Sequence, residues 1–306
     1  MKVLITGASG FLGKNIAPLL HRHYNVIEIG GHATYDLRDQ SQVKEIFSTY
    51  QPDVVVHAAG RVGGIGANRE NPGKFMYDNL SMGVNVIEGC RVSECQKIIM
   101  LGTVCAYPKF TPVPFKESEI WEGYPEETNA PYGIAKKALM ELVIAYHHQY
   151  GLKGVNLVPV NMYGPHDHFN LTSSHVIPAL ILKVYNAIKN NDSHIVGWGT
   201  GNASREFLYA QDCGEAIRLA IEADIEPSLI NIGTGREIKI KDLLKKICEI
   251  MGFKGEIHWD SSKPDGQPRR CLDVTKAKNL LGFKASVDFE EGLRRTIKWF
   301  KANPVY

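Results

Sequence analysis

No stretch of this 306-residue chain approaches the ~20 consecutive apolar residues that cross a bilayer, so a helical membrane protein is excluded. The first residues read as a strand, Lys2–Thr6, rather than as a signal peptide. No block of basic residues stands out, and 35 Lys and Arg against 33 Asp and Glu leave a formal charge of only +2. That balance argues against nucleic acid as the main partner but leaves room for a small basic pocket around a phosphate. The six cysteines (Cys90, Cys95, Cys105, Cys213, Cys248 and Cys271) include no CxxC pair and no regular spacing. Free thiols in a reducing cytoplasm fit that pattern better than a disulfide frame, and no metal is expected. There is also no internal repeat and no low-complexity linker, so the parts of the chain should pack closely.

What is present is an alternation of short strands and amphipathic helices. The strand segments are Lys2–Thr6, Asn25–Ile29, Asp53–His57, Lys97–Leu101 and Gly154–Val160, apolar along their length as strands buried on both faces must be. Helical periodicity marks 11–21, 42–50, 79–90 and 131–146 between them. This repetition predicts an α/β fold with a Rossmann-type, doubly wound parallel sheet and right-handed crossovers. After Val160 the pattern loosens. Asn161 to Ser174, rich in Gly, Pro, His and Asn, reads as a loop, followed by helices at 177–189, 213–223, 240–251, 275–281 and 289–302. Short strands fit 229–232 and 255–258. The expected division is a dinucleotide-binding Rossmann domain over 1–165, to which about 206–235 returns, and a smaller, mainly substrate-binding α/β domain over 166–306.

Gly7-Ala8-Ser9-Gly10-Phe11-Leu12-Gly13 follows the first strand and opens the first helix. The glycines allow a tight turn, close approach of a pyrophosphate to the backbone, and close helix–strand packing. The helix N-terminus turns free N–H groups towards the phosphates. A glycine motif alone is weak evidence; its place between strand and helix makes it a dinucleotide signal. Sites that prefer NAD carry an acid after the second strand, bonded to the ribose 2′-hydroxyl. Here that strand runs into Gly30, Gly31 and His32, with Glu28 two residues early and on the other face. The missing carboxylate favours NADP, with Lys14 and His32 as nearby positive charge. Asp36 and Leu37 are expected beside the adenine, the plain alternative for Asp36 being a turn cap.

Tyr132 and Lys136 form a YxxxK pair, i and i+4, on one face of a helix. An ammonium beside a phenol favours the phenolate and equips the tyrosine to exchange a proton with a substrate oxygen. Thr103 follows the strand ending at Leu101, at the carboxyl edge where parallel sheets bind ligands, and its hydroxyl is placed to hold the same oxygen.

These elements, with His57-Ala58-Ala59, resemble the extended short-chain dehydrogenase/reductases. More narrowly, the chain is similar nearly end to end to the GDP-L-fucose synthase family of GDP-4-keto-6-deoxymannose 3,5-epimerase-4-reductases. The likeness is carried by Val62-Gly63-Gly64-Ile65 with Ala67-Asn68, Leu101-Gly102 through Cys105, Tyr107-Pro108-Lys109, and Asn161 through Asp167. It continues in Ser174-His175-Val176-Ile177-Pro178, Trp198-Gly199-Thr200-Gly201, Arg205-Glu206-Phe207 and Lys263-Pro264-Asp265-Gly266. The resemblance implies that Thr103, Tyr132 and Lys136 form the reductase triad, that Cys105 is the epimerisation base, and that His175 is its acid. It implies cofactor contacts from Gly7, Ser9, Gly10, Phe11, Leu12, Gly13, Asp36, Leu37, Ala58, Ala59, Tyr132, Lys136, Asn161 and His175. Trp198 and Arg205 fall on the family's substrate pocket; Lys263, Arg269 and Arg270 flank the Pro264-Asp265-Gly266 turn and are expected to close over the diphosphate with Asp265, the plain alternative being a solvated surface turn. The chemistry is coherent: a 4-keto group acidifies the hydrogens on carbons 3 and 5, a base and an acid exchange them through an enolate, and NADPH traps the product at carbon 4.

Two positions depart from the family: Thr103 stands where serine is general, followed by Val104, and His168 where members tend to have Asn. Other readings are a related enzyme for another GDP-4-keto-6-deoxysugar or a GDP-heptose, a UDP-sugar 4-epimerase with tightly held NAD, and a silent dinucleotide sensor. Family members are usually dimers through a four-helix contact, here expected from the helices at 79–90 and 131–146.

Overall fold

The structure, a computed structural model of the chain, describes residues 1–31, 34–171, 173–263 and 265–304, with Ile65 described by its backbone. The strands β1 (Lys2–Thr6), β2 (Asn25–Ile29), β3 (Val54–His57), β4 (Lys97–Leu101) and β5 (Lys153–Pro159) alternate with helices α1 (Phe11–Leu20), α2 (Gln40–Tyr50), α3 (Ile65–Glu70), α4 (Pro72–Val92) and α5 (Ala130–Tyr150). Beyond them come β6 (Asn161–Tyr163), α6 (Val176–Asn190), β7 (His194–Trp198), β8 (Ser204–Tyr209), α7 (Ala210–Glu222), β9 (Ser228–Ile232), β10 (Glu237–Lys239), α8 (Ile240–Met251), β11 (Glu256–Asp260), α9 (Thr275–Leu281) and α10 (Phe289–Ala302).

Six strands form one parallel sheet in the order β2-β1-β3-β4-β5-β9, the expected Rossmann-type arrangement. Its strands are apolar throughout because both faces are covered. Val3, Ile5, Val56, Ile99 and Leu101 point to the face of α1 and α7, where they meet Ile16, Leu20, Cys213 and Ile217. Leu4, Val55, Ile98 and Met100, one residue out of phase, meet Phe47, Val86, Leu139 and Val143 of α2, α4 and α5. The period of two along each strand thus delivers two cores from one run of residues. A third core joins α6, α8 and α10 through Ile181, Val184, Leu244, Ile247 and Phe300.

Glu206 of β8 is fully buried and ties this second region together. Its Oε1 accepts from the Gly235 N–H at 2.7 Å and the Thr234 N–H at 2.5 Å, and its Oε2 from the Leu272 N–H at 2.7 Å. Burial still raises its pKa, yet its oxygens satisfy backbone groups that would otherwise be stranded in the interior.

The stretch expected as a loop over Asn161–Ser174 begins instead with β6, which pairs in parallel with β8; β10 adds antiparallel to β8, and β7 pairs with β11. Strands of three residues are too short to show a period, and their partners lie far along the chain. Helix α4 starts at Pro72, seven residues before the stretch singled out by periodicity; proline at the first helical position needs no N–H partner, but Pro72-Gly73 reads locally as a turn. Among the described residues no helix is long and apolar enough to cross a membrane.

Candidate active site

The carboxyl ends of β1, β3 and β4 bring the sequence-singled residues to one edge of the sheet. Gly7, at φ +72°, makes the turn after β1; a Cβ there would lie 2.7 Å from the Ala59 Cα. At Gly13 a Cβ would lie 2.3 Å from the Gly7 carbonyl oxygen, so only glycine lets α1 start so close to the strand. The helix is capped by Gly10 with no side-chain hydrogen bond, and the N–H groups of Phe11, Leu12 and Gly13 have no carbonyl within the helix. That is an anion site built from backbone. Ser9 lies beside it, its Oγ accepting from the Gly31 N–H at 3.0 Å.

The second strand's end fits a 2′-phosphate better than a bare ribose. Glu28 is paired with His21 at 2.9 Å, beyond the far end of α1, and presents no carboxylate at the helix N-terminus. His32 lies outside the described residues. Asp36 accepts from the Arg38 N–H at 3.0 Å, so the turn-cap reading holds at least in part, and the Arg38 guanidinium grips the same carboxylate. Arg38 also reaches the buried Asp78 of α4, which Arg61 bonds from the other side at 2.5 Å. Leu37 is buried, its carbonyl held by Asn85 at 3.0 Å. On the floor of the site His57 shares a 2.9 Å hydrogen bond with Thr6, and burial depresses its pKa to about 3, so it stays neutral behind Ala58 and Ala59.

Thr103 joins the two halves of the chemistry. Its Oγ accepts from the Cys105 N–H at 3.2 Å, and its hydroxyl lies beside the Tyr132 phenol, whose pKa it draws down. Tyr132 is buried against the edge of the Phe75 ring at 6.5 Å. Burial, with the Cys105 charge added, pushes the phenol's pKa well above its ordinary value, and only the nearby Thr103 hydroxyl opposes this. Lys136 is not among the groups that shift the phenol. The Lys136 ammonium donates to the Leu101 carbonyl at 2.9 Å, and burial lowers its pKa to about 8. In this arrangement the tyrosine keeps its proton as a donor does.

His175 caps α6 and is exposed, yet desolvation lowers its pKa. The segment leading to it is docked on the glycine loop after β3: the Gly64 N–H donates to the Ser173 carbonyl at 2.9 Å, and a Cβ on Gly64 would meet the Ser174 carbonyl at 2.7 Å. Gly63 in turn lies against Phe75, the ring that packs on Tyr132. Asn161 lies at the start of β6, its side chain donating to the Glu206 carbonyl at 3.2 Å.

At the other end of the cleft, Trp198 is 62% exposed at the end of β7, with the Lys183 ammonium 5.9 Å from its ring centre. Arg205 is half-buried, and desolvation followed by the nearby charge of Arg270 lowers its pKa to about 10. Asp265 is engaged: its carboxylate accepts from the Thr200 N–H and hydroxyl, both at 2.7 Å, and so straps the 199–201 turn. Arg270 reaches the Cys105 sulfur at 3.8 Å, whereas Arg269 pairs with Glu237 on the surface. Lys263 is exposed, and its neighbour Pro264 lies outside the described residues. A phenol, a cysteine sulfur and two guanidiniums gathered at the carboxyl edge of the sheet suit proton transfer beside a carbonyl on an anionic substrate.

A family profile described as the NAD dependent epimerase/dehydratase family matches residues 3–233. The chain belongs to this family. Within it, the chain is 38% identical to the probable GDP-L-fucose synthase 1 of Oryza sativa subsp. japonica over 99% of its own length and 93% of that protein. Identity is also 38% to the GDP-L-fucose synthase of Escherichia coli, over 99% and 97% of the two chains. The crystal structure of a GDP-L-fucose synthetase from Naegleria fowleri bound to NADP superposes with a TM-score of 0.89 at 27% identity, covering 99% of this chain and 94% of that one.

Several residues of this epimerase/dehydratase cleft escaped the sequence reading. Lys183 stands eight positions beyond His175, where a helical lysine gives no sign of facing a tryptophan. Gln267 and Phe75 likewise carry no motif, and the Arg38–Asp78–Arg61 bridge spans elements far apart in the chain.

Proposed function

We propose that this protein is an NADPH-dependent epimerase–reductase that converts GDP-4-keto-6-deoxy-D-mannose to GDP-L-fucose. The observation that carries the reading is Thr103, whose hydroxyl accepts from the Cys105 backbone and lies close enough to the Tyr132 phenol to draw its pKa down. A base and a proton donor are thereby set around a single substrate oxygen. At carbon 3 and at carbon 5 in turn, Cys105 takes the proton while Thr103 and Tyr132 steady the enolate oxygen, and His175 returns a proton to that carbon from the opposite face. Tyr132 then protonates the oxygen on carbon 4. NADPH, when bound, supplies the hydride to that carbon.

Gly7, Ser9, Gly10, Phe11, Leu12 and Gly13 cradle the cofactor's pyrophosphate, with Asp36 and Leu37 at its adenine and Ala58, Ala59 and Asn161 along its length. Lys136 and His175 complete that wall. Trp198 stacks on the substrate, Arg205 and Arg270 bind its diphosphate, Lys263 closes over it, and Asp265 keeps the Trp198 turn in place. In this reading 1–165 with 206–235 is the cofactor domain and 166–306 mainly the substrate domain. The working compartment is the cytoplasm, in keeping with six free thiols.

Two copies are proposed to pair through α4 and α5. Tyr77 and Val84 are exposed on α4 at 64% and 41%, with half-buried Leu80 between them on the same stripe. Sedimentation should give twice the 34.1 kDa chain mass; a monomer at micromolar concentration rejects the pairing.

With GDP-4-keto-6-deoxy-D-mannose the protein should oxidise NADPH and yield GDP-L-fucose; no loss of NADPH absorbance rejects the activity. The methyl of Thr103 and the imidazole of His168 at the cleft favour one second reading, a related GDP-4-keto-6-deoxysugar or GDP-heptose. Faster turnover of such a ketone in the same assay would establish it.

A further inference from the structure

The turn at 267–270 reaches into the catalytic loop by a closed circuit of hydrogen bonds. Gln267 donates through Nε2 to the Lys109 carbonyl at 2.6 Å, four residues beyond Cys105 on the same loop. Its Oε1 accepts from Arg270 Nε at 3.0 Å and also from Nη2. Two of the guanidinium's three nitrogens are thus held by one amide, which fixes its plane. The third, Nη1, points at the Cys105 sulfur, 3.8 Å away. Both Cys105 and Arg270 are half-buried, so their interaction is only partly screened by water. The charged and titratable groups facing the sulfur are Arg270, Arg205 and the Tyr132 phenol, a cationic majority.

We propose that Arg270, pre-oriented by Gln267, is the counter-ion that holds the Cys105 sulfur as a thiolate facing the cleft. The inference rests on reading Cys105 as the epimerisation base, and it goes further by naming what readies that base before substrate arrives. A thiolate, not a thiol, abstracts protons and reacts with alkylating agents, and a neighbouring guanidinium favours it. Arg270 therefore acts in the free protein as well as on a diphosphate, and only the first role is visible without substrate.

The test is alkylation of the folded, ligand-free protein by iodoacetamide, a neutral reagent that does not itself sense the arginine. The other five cysteines are buried, and Cys105→Ala gives the background. At about pH 7, Arg270→Met should react about tenfold more slowly than the unaltered chain, and Arg270→Lys, which keeps a charge, should recover most of that loss. Gln267→Leu, which frees the guanidinium without removing it, should fall between. An unchanged rate in Arg270→Met overturns the proposal, because a purely diphosphate-binding arginine leaves alkylation alone. An equal fall in Arg270→Lys also overturns it, since shape and not charge would then be responsible. Should Arg270→Met fail to fold by circular dichroism, the Gln267→Leu rate decides in the same two directions. Failure of the base reading itself registers elsewhere, as retained hydrogen exchange in Cys105→Ser.

Discussion

Cys105→Ser should abolish exchange of the hydrogens on carbons 3 and 5 of the 4-keto sugar with solvent. The expected loss is at least about 100-fold, the lower end of what a general base contributes. Serine keeps nearly the same volume at a half-buried position, so the fold and the 3.2 Å bond from the residue's N–H to Thr103 survive. What disappears is the sulfur: a serine hydroxyl with no base beside it stays protonated and cannot take a proton from carbon. The measurement is deuterium uptake from heavy water at the two carbons, followed by mass spectrometry with the cofactor omitted so that reduction does not intervene. Exchange at the rate of the unaltered chain would remove Cys105 from the base role and leave a simple ketone reductase.

The sheet was legible because its information is local. Val3 to Ile5 or Ile98 to Leu101 announce a doubly covered strand by composition alone, and Gly7 through Gly13 announce the turn that follows β1. The YxxxK spacing likewise placed Tyr132 and Lys136 on one face of α5. What spacing did not contain was the partner of each group. Lys136 turns to the Leu101 carbonyl and Thr103 lies beside the phenol, a choice made by how α5 packs on the end of β4. The region after Val160 hid more, since β6, β8 and β10 are short and pair across some thirty to forty-six positions of chain, held by the buried carboxylate of Glu206. Arg270 belongs to the same class: its contact with Cys105 spans 165 positions and exists only through the fold.

Tyr132→Phe should stop reduction while sparing the architecture. The ring keeps its edge-on contact with Phe75, so only the hydroxyl is lost. Because burial holds the phenol protonated, its proton is the one available to the oxygen on carbon 4. A loss of about 1,000-fold in kcat, some 4 kcal/mol of transition-state stabilisation, is the expected size for a removed general acid. Exchange at carbons 3 and 5 should fall less, since Thr103 still donates to the enolate oxygen. The pH profile adds a check that a packing defect does not mimic. Lys136 carries its charge below about pH 8 and loses it above, because burial has lowered its pKa from the ordinary lysine value. In the unaltered chain, kcat/KM for reduction should therefore decline as pH rises through that value, as the ammonium that holds the Leu101 carbonyl and the cofactor beside it is discharged. If Tyr132→Phe reduced the ketone within tenfold of the unaltered rate, the proton would have to come from elsewhere, and His175 would be the group to test next.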